Sequence, residues 1–331
     1  LVWARVITMV FYKLSESFSQ SLKVADDLIL KMGEIQTILP AVEQTTGAFF
    51  RLSDAVRRTS DAFNLPQLDV AEGFYQTLSN QISNSIIETE FFIGSAAKLA
   101  KTTASTLPEA IDALSSALNS YNYTVAESTR LSEELFDMVD VGRLRLSDVA
   151  NTIGNVTTVA SDLGVSFDEV TESLGVMTIR GMQPRIAMTL LRNIMLKLQD
   201  PTEKMTEVFH ALGVETGAEL LATYSLSDAI DKIIGVTGRG TKALIEAAGT
   251  SRAYRAAIAL LVDEHDRFND SLTTGEEKVD NYSRALEVRM GNAAENVNKQ
   301  LNIFKNFFVS DVSQKIILLA DKYNKAFNEM F

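Results

Sequence analysis

Cysteine is absent from the 331 residues, and only two histidines are present. Without cysteine the chain has no disulfide, no thiolate nucleophile and no cysteine ligand for a metal. A metalloenzyme or a histidine-dependent acid–base catalyst would have to be assembled from His210, His265 and carboxylates. The composition therefore predicts no catalytic residue, no metal site and no cofactor, and a protein that is not an enzyme.

Basic charge is also scarce. Lys and Arg number 31 against 43 Asp and Glu, which gives a formal net charge of −12. Proteins that bind a phosphate backbone usually carry a clustered basic patch, because much of the affinity comes from released counterions. The basic residues here are scattered along the chain, so specific binding of nucleic acid is not expected.

Long apolar runs are missing as well. A bilayer span needs a stretch of about 18 uncharged apolar residues, and the nearest candidate, 301–320, contains Lys305, Asp311 and Lys315. Residues 1–14 are apolar but lack the small-residue cleavage site of a signal peptide. The sequence begins with Leu1 and not with Met. We therefore expect a fragment or a processed product, without a membrane span.

Glycine and proline are unevenly distributed. Eleven of the seventeen glycines fall between Gly142 and Gly249, and none of the five prolines follows Pro201. Strand patterns of period two hardly occur. The distribution predicts an all-α fold, in which a bundle of short helices in the middle (about 100–260) is flanked by long amphipathic helices. Three segments are expected: long amphipathic helices over 1–63, a helical bundle over 64–273, and a long amphipathic helix over 274–331.

Several helix starts are marked by capping residues. Three pairs have the spacing of a capping box or its Asp variant, in which a hydroxyl and a carboxylate satisfy free backbone donors. Asp200 followed by Pro201 predicts a further start, with Asp200 as the capping residue and Pro201 in the first turn. The three pairs are Ser166 with Glu169, Ser225 with Asp228, and Thr274 with Glu277.

A weak internal repeat has a period near forty residues. Asn64-Leu65-Pro66-Gln67 recurs as Thr106-Leu107-Pro108-Glu109, and Arg145-Leu146-Ser147-Asp148 follows at similar spacing. Such a period is typical of helical hairpins that stack on their neighbours. Chance similarity among helix-rich segments is the alternative.

Apolar residues recur along the C-terminal segment with a 3-4-4 spacing that repeats every eleven residues. A period of ~3.67 residues per turn favours a straight or slightly right-handed coiled coil over a heptad supercoil. Two interpretations stay open: the stripe packs on its own domain, or a long rod presents it to partner helices. The predicted helix-packing stripe is Val279, Tyr282, Leu286, Met290, Ala293, Val297, Leu301, Phe304 and Phe308.

Three groups that look like reactive sites are interpreted as structural. Adjacent residues of a helix point in different directions, so Asp263-Glu264-His265-Asp266 cannot converge on a metal and fits a solvated helix end. The Gly-rich residues 235–242 place Thr before Lys, the reverse of a phosphate loop, and fit a flexible hinge. His210 lies among apolar neighbours and is expected to be half-buried and hydrogen-bonded. A glycosidase would need a pair of acids, and no pair is singled out.

Short motifs follow one another in a fixed order from about residue 52 to residue 261. They include Ala126-Glu127-Ser128, Asp148-Val149-Ala150, Val159-Ala160-Ser161-Asp162-Leu163-Gly164-Val165-Ser166, Leu174-Gly175-Val176-Met177-Thr178, Leu198-Gln199-Asp200-Pro201, Ala211-Leu212-Gly213-Val214 and Ser251-Arg252-Ala253. This ordered set resembles the core region of tape measure proteins of tailed bacteriophages. Pro184 departs from the small residues that the family more often shows after Gly181, and the Gly-rich linker over 235–249 is a second departure.

The resemblance implies a structural protein of the virion with no catalytic residue. Family members assemble in the lumen of the growing tail in the host cytoplasm, set its length, scaffold the tube and leave through it during infection. The expected partners are the tail tube protein, tail assembly chaperones and tail tip or baseplate proteins. Self-association through the long helices is also expected, and membrane contact only late in infection. Segment 64–273 would be the tape-measure core. A helical partner-binding or membrane-active module without enzymatic activity is the alternative.

Overall fold

The computed structural model describes residues 23–41, 43–44, 47–179, 181–238, 246, 275–291, 293–307 and 309. Every regular element in these ranges is helical, and the predicted all-α class is confirmed. Residues 23–38 form α1. The further helices are α2 (Ala48–Phe63), α3 (Gln67–Ser79), α4 (Ile86–Thr103), α5 (Leu107–Tyr121), α6 (Ser128–Gly142), α7 (Leu146–Val149), α8 (Ile153–Leu163), α9 (Phe167–Ile179), α10 (Pro184–Gln199), α11 (Glu203–Ala211), α12 (Gly217–Thr223), α13 (Leu226–Thr237), α14 (Gly275–Gly291) and α15 (Ala293–Phe307).

Two of the predicted capping residues, Ser166 and Ser225, cap helices. The backbone N–H of Glu169 donates to Ser166 Oγ at 3.2 Å, and the carboxylate of Glu169 accepts from the Ser166 N–H at 2.9 Å. The Asp228 N–H donates to Ser225 Oγ at 3.2 Å. Each contact satisfies a backbone donor that the first helical turn leaves without a partner. Thr274 lies outside the described residues.

The start of α11 differs from the prediction. Thr202 caps this helix, because its hydroxyl accepts from the Met205 N–H at 3.1 Å. Asp200 follows the last residue of α10 and marks the end of that helix. Asp200 and Thr202 are both of residue types that cap helices. Thr202 stands three residues before Met205, which is the spacing that a cap requires. The prediction that Asp200 caps α11 is therefore wrong.

The chain divides into two compact units. One comprises Leu1–Gly94 and Val288–Phe331, and the other comprises Ser95–Glu287. In the first unit, the buried side chains of α1, α2 and α3 form the core. An ion pair of 2.9 Å between Lys31 and Glu72 links α1 to α3. The predicted segments 1–63, 64–273 and 274–331 stay predictions.

The second unit contains a stack of helical hairpins. The first helices of two successive hairpins, α5 and α8, pack on each other, and so do the second helices, α6 and α9. Ser120 and Thr157 share a hydrogen bond of 2.8 Å between α5 and α8. Arg130 of α6 pairs with Asp168 of α9 at 2.8 Å. These hairpins follow the second and third copies of the weak repeat, as stacked units of that period do.

Side-chain burial holds this stack together. Helix α10 covers α8 and α9, and Phe167, Leu174 and Leu191 among others are fully buried. Burial of a Leu or Phe side chain contributes about 1.5–3 kcal/mol. Tyr121 adds a bond from its phenol to the Val165 carbonyl at 3.0 Å, and burial raises the pKa of this phenol above its ordinary range. The tyrosine therefore stays neutral and acts as a donor across the turn between α8 and α9.

Gly217 lies at a close contact between two helices of this unit. A Cβ at this position would overlap the backbone carbonyl of Leu198, at the end of α10. The Thr216 hydroxyl caps the same helix by accepting from the Glu219 N–H at 3.1 Å. The start of α12 is therefore fixed against α10, and no side chain fits between them.

The Gly217→Ala substitution is expected to destabilise the chain by about 1–3 kcal/mol, because the new methyl group forces α12 away from α10. The measurement is the free energy of unfolding in denaturant. Gly235→Ala is the matched control: Gly235 is an exposed residue of α13, and a Cβ there meets nothing within 4 Å. This control should gain stability, by up to about 1 kcal/mol. Equal effects of the two substitutions would contradict the close contact.

Candidate functional site at the C-terminal helices

The predicted helix-packing stripe lies on α14 and α15, and its described members differ in burial. Tyr282 is buried, at 4% exposure, whereas Leu301 and Phe304 are 53% and 62% exposed. Leu286 and Met290 are half-buried, and Val279 is exposed. Phe308 and the side chains of Ala293 and Val297 lie outside the described residues. The role of the stripe in packing against partner helices stays a prediction.

Tyr282 anchors the first of these helices within the second unit. Its ring lies against Phe136 of α6, with 5.4 Å between the ring centroids and an interplanar angle of 57°. Burial raises the pKa of the phenol above its ordinary range. Tilted aromatic contacts of this kind add about 0.5–1.5 kcal/mol to the burial itself. Tyr282 therefore packs its ring within its own chain, against Phe136.

The second helix, α15, is held in the first unit by a polar contact. Asn306 is buried, and its side-chain amide donates to Ser60 Oγ at 2.8 Å and to Asp61 Oδ1 at 2.6 Å. Asn302, one turn earlier, donates to the Leu65 carbonyl at 3.0 Å. We call this set of contacts the polar seat of α15.

The turn after α2 supplies the acceptors of the polar seat. Asn64 ends α2 in the left-handed conformation, with φ of 51°. Asparagine tolerates this conformation better than most residues. The carbonyls at the end of a helix have no partner within that helix. Here the amide of Asn302 donates to one of them, the Ser60 carbonyl, at 3.4 Å, and to the Leu65 carbonyl beyond the turn. Asn64 itself donates to Glu295 at 3.1 Å, which adds a contact near the start of α15.

The contacts of the seat are spaced along one face of α15. Glu295, Asn302 and Asn306 are separated by seven and four residues, so that they lie on the same side of the helix. Leu301 and Phe304 are exposed, and the seat therefore does not rest on the apolar stripe. This polar face was not predicted from the sequence.

The polar seat fixes orientation more than it adds stability. A hydrogen bond typically contributes about 0.5–1.5 kcal/mol net, whereas a buried donor left without its partner costs about 1–3 kcal/mol. Loss of Ser60 or Asp61 would leave the amide of Asn306 with one bond fewer in a buried place. The polar seat therefore favours one position of α15 along the turn after α2, in which each of these donors meets its acceptor.

Two of the candidate reactive groups differ from expectation. Gly235, Val236 and Thr237 form the last turn of α13, so this part of the predicted hinge is wrong; residues 239–242 lie outside the described residues. His210 is hydrogen-bonded, to Glu215 at 3.2 Å, but it is exposed and not half-buried. It occupies the last turn of the short helix α11, where its ring points to solvent. Residues 263–266 lie outside the described residues as well.

Two buried carboxylates on α6 lie outside the surface grooves. Glu134 and Asp137, one turn apart on α6, are both buried, and both have interaction partners. Neither lines the groove between α8 and α10 or the groove between α1 and α3. Within the described ranges no three His, Asp or Glu residues are grouped as a metal site, and no helix has the length and apolarity to cross a membrane.

Comparison with known proteins gives two matches. Residues 53–263 match the model of the family described as phage-related minor tail protein. A probable tape measure protein of Clostridium phage phiCD119 is 24% identical over 266 residues, which cover 78% of this chain and 28% of that protein. The chain thus spans little more than a quarter of this relative. No solved structure matches.

The Asn306→Asp substitution should loosen the polar seat, because it replaces a buried donor by a carboxyl beside Asp61. The expected loss is about 1–3 kcal/mol at neutral pH, so the amides of α15 should exchange with deuterium at least about tenfold faster. Repulsion raises the pKa of the new carboxyl in the folded state. The loss should therefore shrink as the pH falls through about 5 and the carboxyl is protonated.

Asn298→Asp is the matched control, because Asn298 is an exposed residue of the same helix. It brings the same change of charge without touching the seat, and exchange in α15 should stay as in the parent chain. If both substitutions accelerated exchange equally, or neither did, the polar seat would not hold α15.

Proposed function

Because the chain belongs to the phage-related minor tail protein family, we propose that it is a segment of a tape measure protein that sets the length of a phage tail. The family makes it a structural component of the tail, associated with the virion. The finer proposal is supported by a relative whose printed name is probable tape measure protein, beside the family match over 53–263.

The helical architecture suits a protein that works in both compact and extended forms. Each backbone hydrogen bond of a helix joins residues of the same segment, so helices can separate from one another without losing these bonds. A sheet would lose its bonds between strands on such extension. Short turns join the helices between α5 and α13. Pulling on the chain would therefore mainly expose the side chains that are buried between helices.

The proposed partners follow from this role. The segment would contact the tail tube protein in the lumen, and tail assembly chaperones would keep it soluble in the host cytoplasm before assembly. Tail tip or baseplate proteins would hold one end. Release through the tube during infection would require the compact units to open, which helices without crosslinks permit. Self-association through α14 and α15 belongs to the same proposal.

An in-frame deletion of residues 275–307 from the parent gene is expected to shorten the tail. At about 1.5 Å of rise per helical residue, the loss should be roughly 50 Å per tail. Duplication of the same residues should lengthen the tail by a similar amount. The measurement is the distribution of tail lengths in electron micrographs of purified particles.

The deletion and the duplication together distinguish a protein that sets tail length from one that is merely misfolded. A misfolded segment would reduce the number of tails in both variants without shifting their length in opposite directions. Tails of unchanged length in both variants would contradict the proposed role in length control. The structural role in the tail would then still stand on family membership.

A further inference from the structure

Charge is segregated within the second unit. Residues 173–199 contain four basic residues and no acid, in a chain whose net charge is −12. The next segment, 200–231, contains seven acids and only one Lys or Arg, Lys204. The basic residues are Arg180, Arg185, Arg192 and Lys197, and the acids are Asp200, Glu203, Glu207, Glu215, Glu219, Asp228 and Asp231.

The basic segment borders a groove between α8 and α10. Arg185 and Arg192 lie two turns apart on α10, about 10 Å along the axis, and both side chains are exposed. Thr152 and Asn155 line the side of α8, and the groove encloses about 380 Å³. The buried side chain of Met188 forms an apolar wall of the groove. The groove therefore presents two cations, hydroxyl and amide groups and an apolar surface together.

These two arginines differ from others in the described part of the chain. Arg51, Arg58 and Arg130 each pair with a carboxylate at 2.8–2.9 Å. Arg185 and Arg192 have no such partner among the described residues. Exposed arginines that pair with no carboxylate of the described residues can bind carboxylates of another molecule.

The acidic segment offers the complementary surface. Glu203 and Glu207 are exposed and lie one turn apart on α11, so both carboxylates face the same side of this helix. Glu207 also pairs with Lys204 at 2.6 Å, an exposed contact that contributes little. Neither carboxylate reaches Arg185 or Arg192 within one chain, although all four belong to the same unit.

We propose that the groove between α8 and α10 binds the acidic face of α11 from a second copy of this chain. The contact joins two different surfaces, so each copy keeps one free basic groove and one free acidic face. Association of this head-to-tail kind continues as a chain or closes as a ring. It is independent of the proposed role in length control, because it concerns the association of the isolated protein.

Salt dependence follows from the charges involved. Exposed ion pairs are screened by salt and are individually weak. The isolated chain should associate with rising concentration at about 0.01 M salt, where the Debye length is about 30 Å, and much less at about 1 M, where it is about 3 Å. Sedimentation velocity of the full 331-residue chain measures both.

Charge reversal tests the two surfaces separately. Arg185→Glu with Arg192→Glu should weaken association at low salt at least about tenfold, because like charges then meet in the groove. Glu203→Lys with Glu207→Lys should weaken it similarly. An equimolar mixture of the two double variants should associate again. The groove that is acidic in one variant can then bind the α11 face that is basic in the other. Circular dichroism checks that both variants remain helical.

The control is Lys23→Glu with Arg143→Glu, which lowers the net charge by the same amount as the arginine variant, on exposed residues that belong neither to the groove nor to α11. It should associate like the parent chain. A parent chain that stays monomeric at low salt would overturn the proposal, and so would equal weakening by the control. Failure of the mixture to associate would show that the groove does not bind α11.

Discussion

Burial of apolar helix faces against one another is the interaction on which the rest of the structure depends. The chain has no cysteine, so no covalent crosslink supports the fold. Backbone hydrogen bonds lie within single helices and their caps, so they fix each helix but not its position. The position of α8, for example, follows from the side chains that α5 and α10 bury on it. Each short helix between α5 and α13 is therefore stabilised mainly by its neighbours, in agreement with the marginal stability of isolated helices of that length.

This dependence explains why small features have large effects. Gly217 allows α12 to lie against the end of α10, and a single methyl group there would separate the two helices. The polar seat of α15 is the contrasting case, since amides and a hydroxyl hold that helix where its apolar side chains Leu301 and Phe304 are exposed. A tail protein that changes between compact and extended forms, as we propose for this one, needs both properties. Contacts between helices should be specific, and none should be covalent.

Much of the architecture could be predicted from the sequence, because its causes are local. The helical class follows from side-chain periodicity and from the distribution of glycine, and the caps at Ser166 and Ser225 follow from spacing alone. The polar seat could not be predicted, since Asn306 and Ser60 are 246 positions apart and no local pattern connects them. Thr202 was overlooked because Asp200 is an equally good capping residue by type. The exposure of His210 depends on how α11 is turned in the bundle, which composition does not determine.

Family membership makes the chain a structural part of the tail, and its place in the lumen is the claim that most needs a direct test. Cross-linking of purified intact tails with a lysine-reactive reagent, followed by mass spectrometry, provides it. Lys23 and Lys305 are exposed residues at the two ends of the described chain. Cross-links from either lysine to the inner surface of the tail tube protein are the expected result. Peptides of this chain that are missing from intact tails, or cross-links only to the outer surface of the tube, would contradict a place in the lumen.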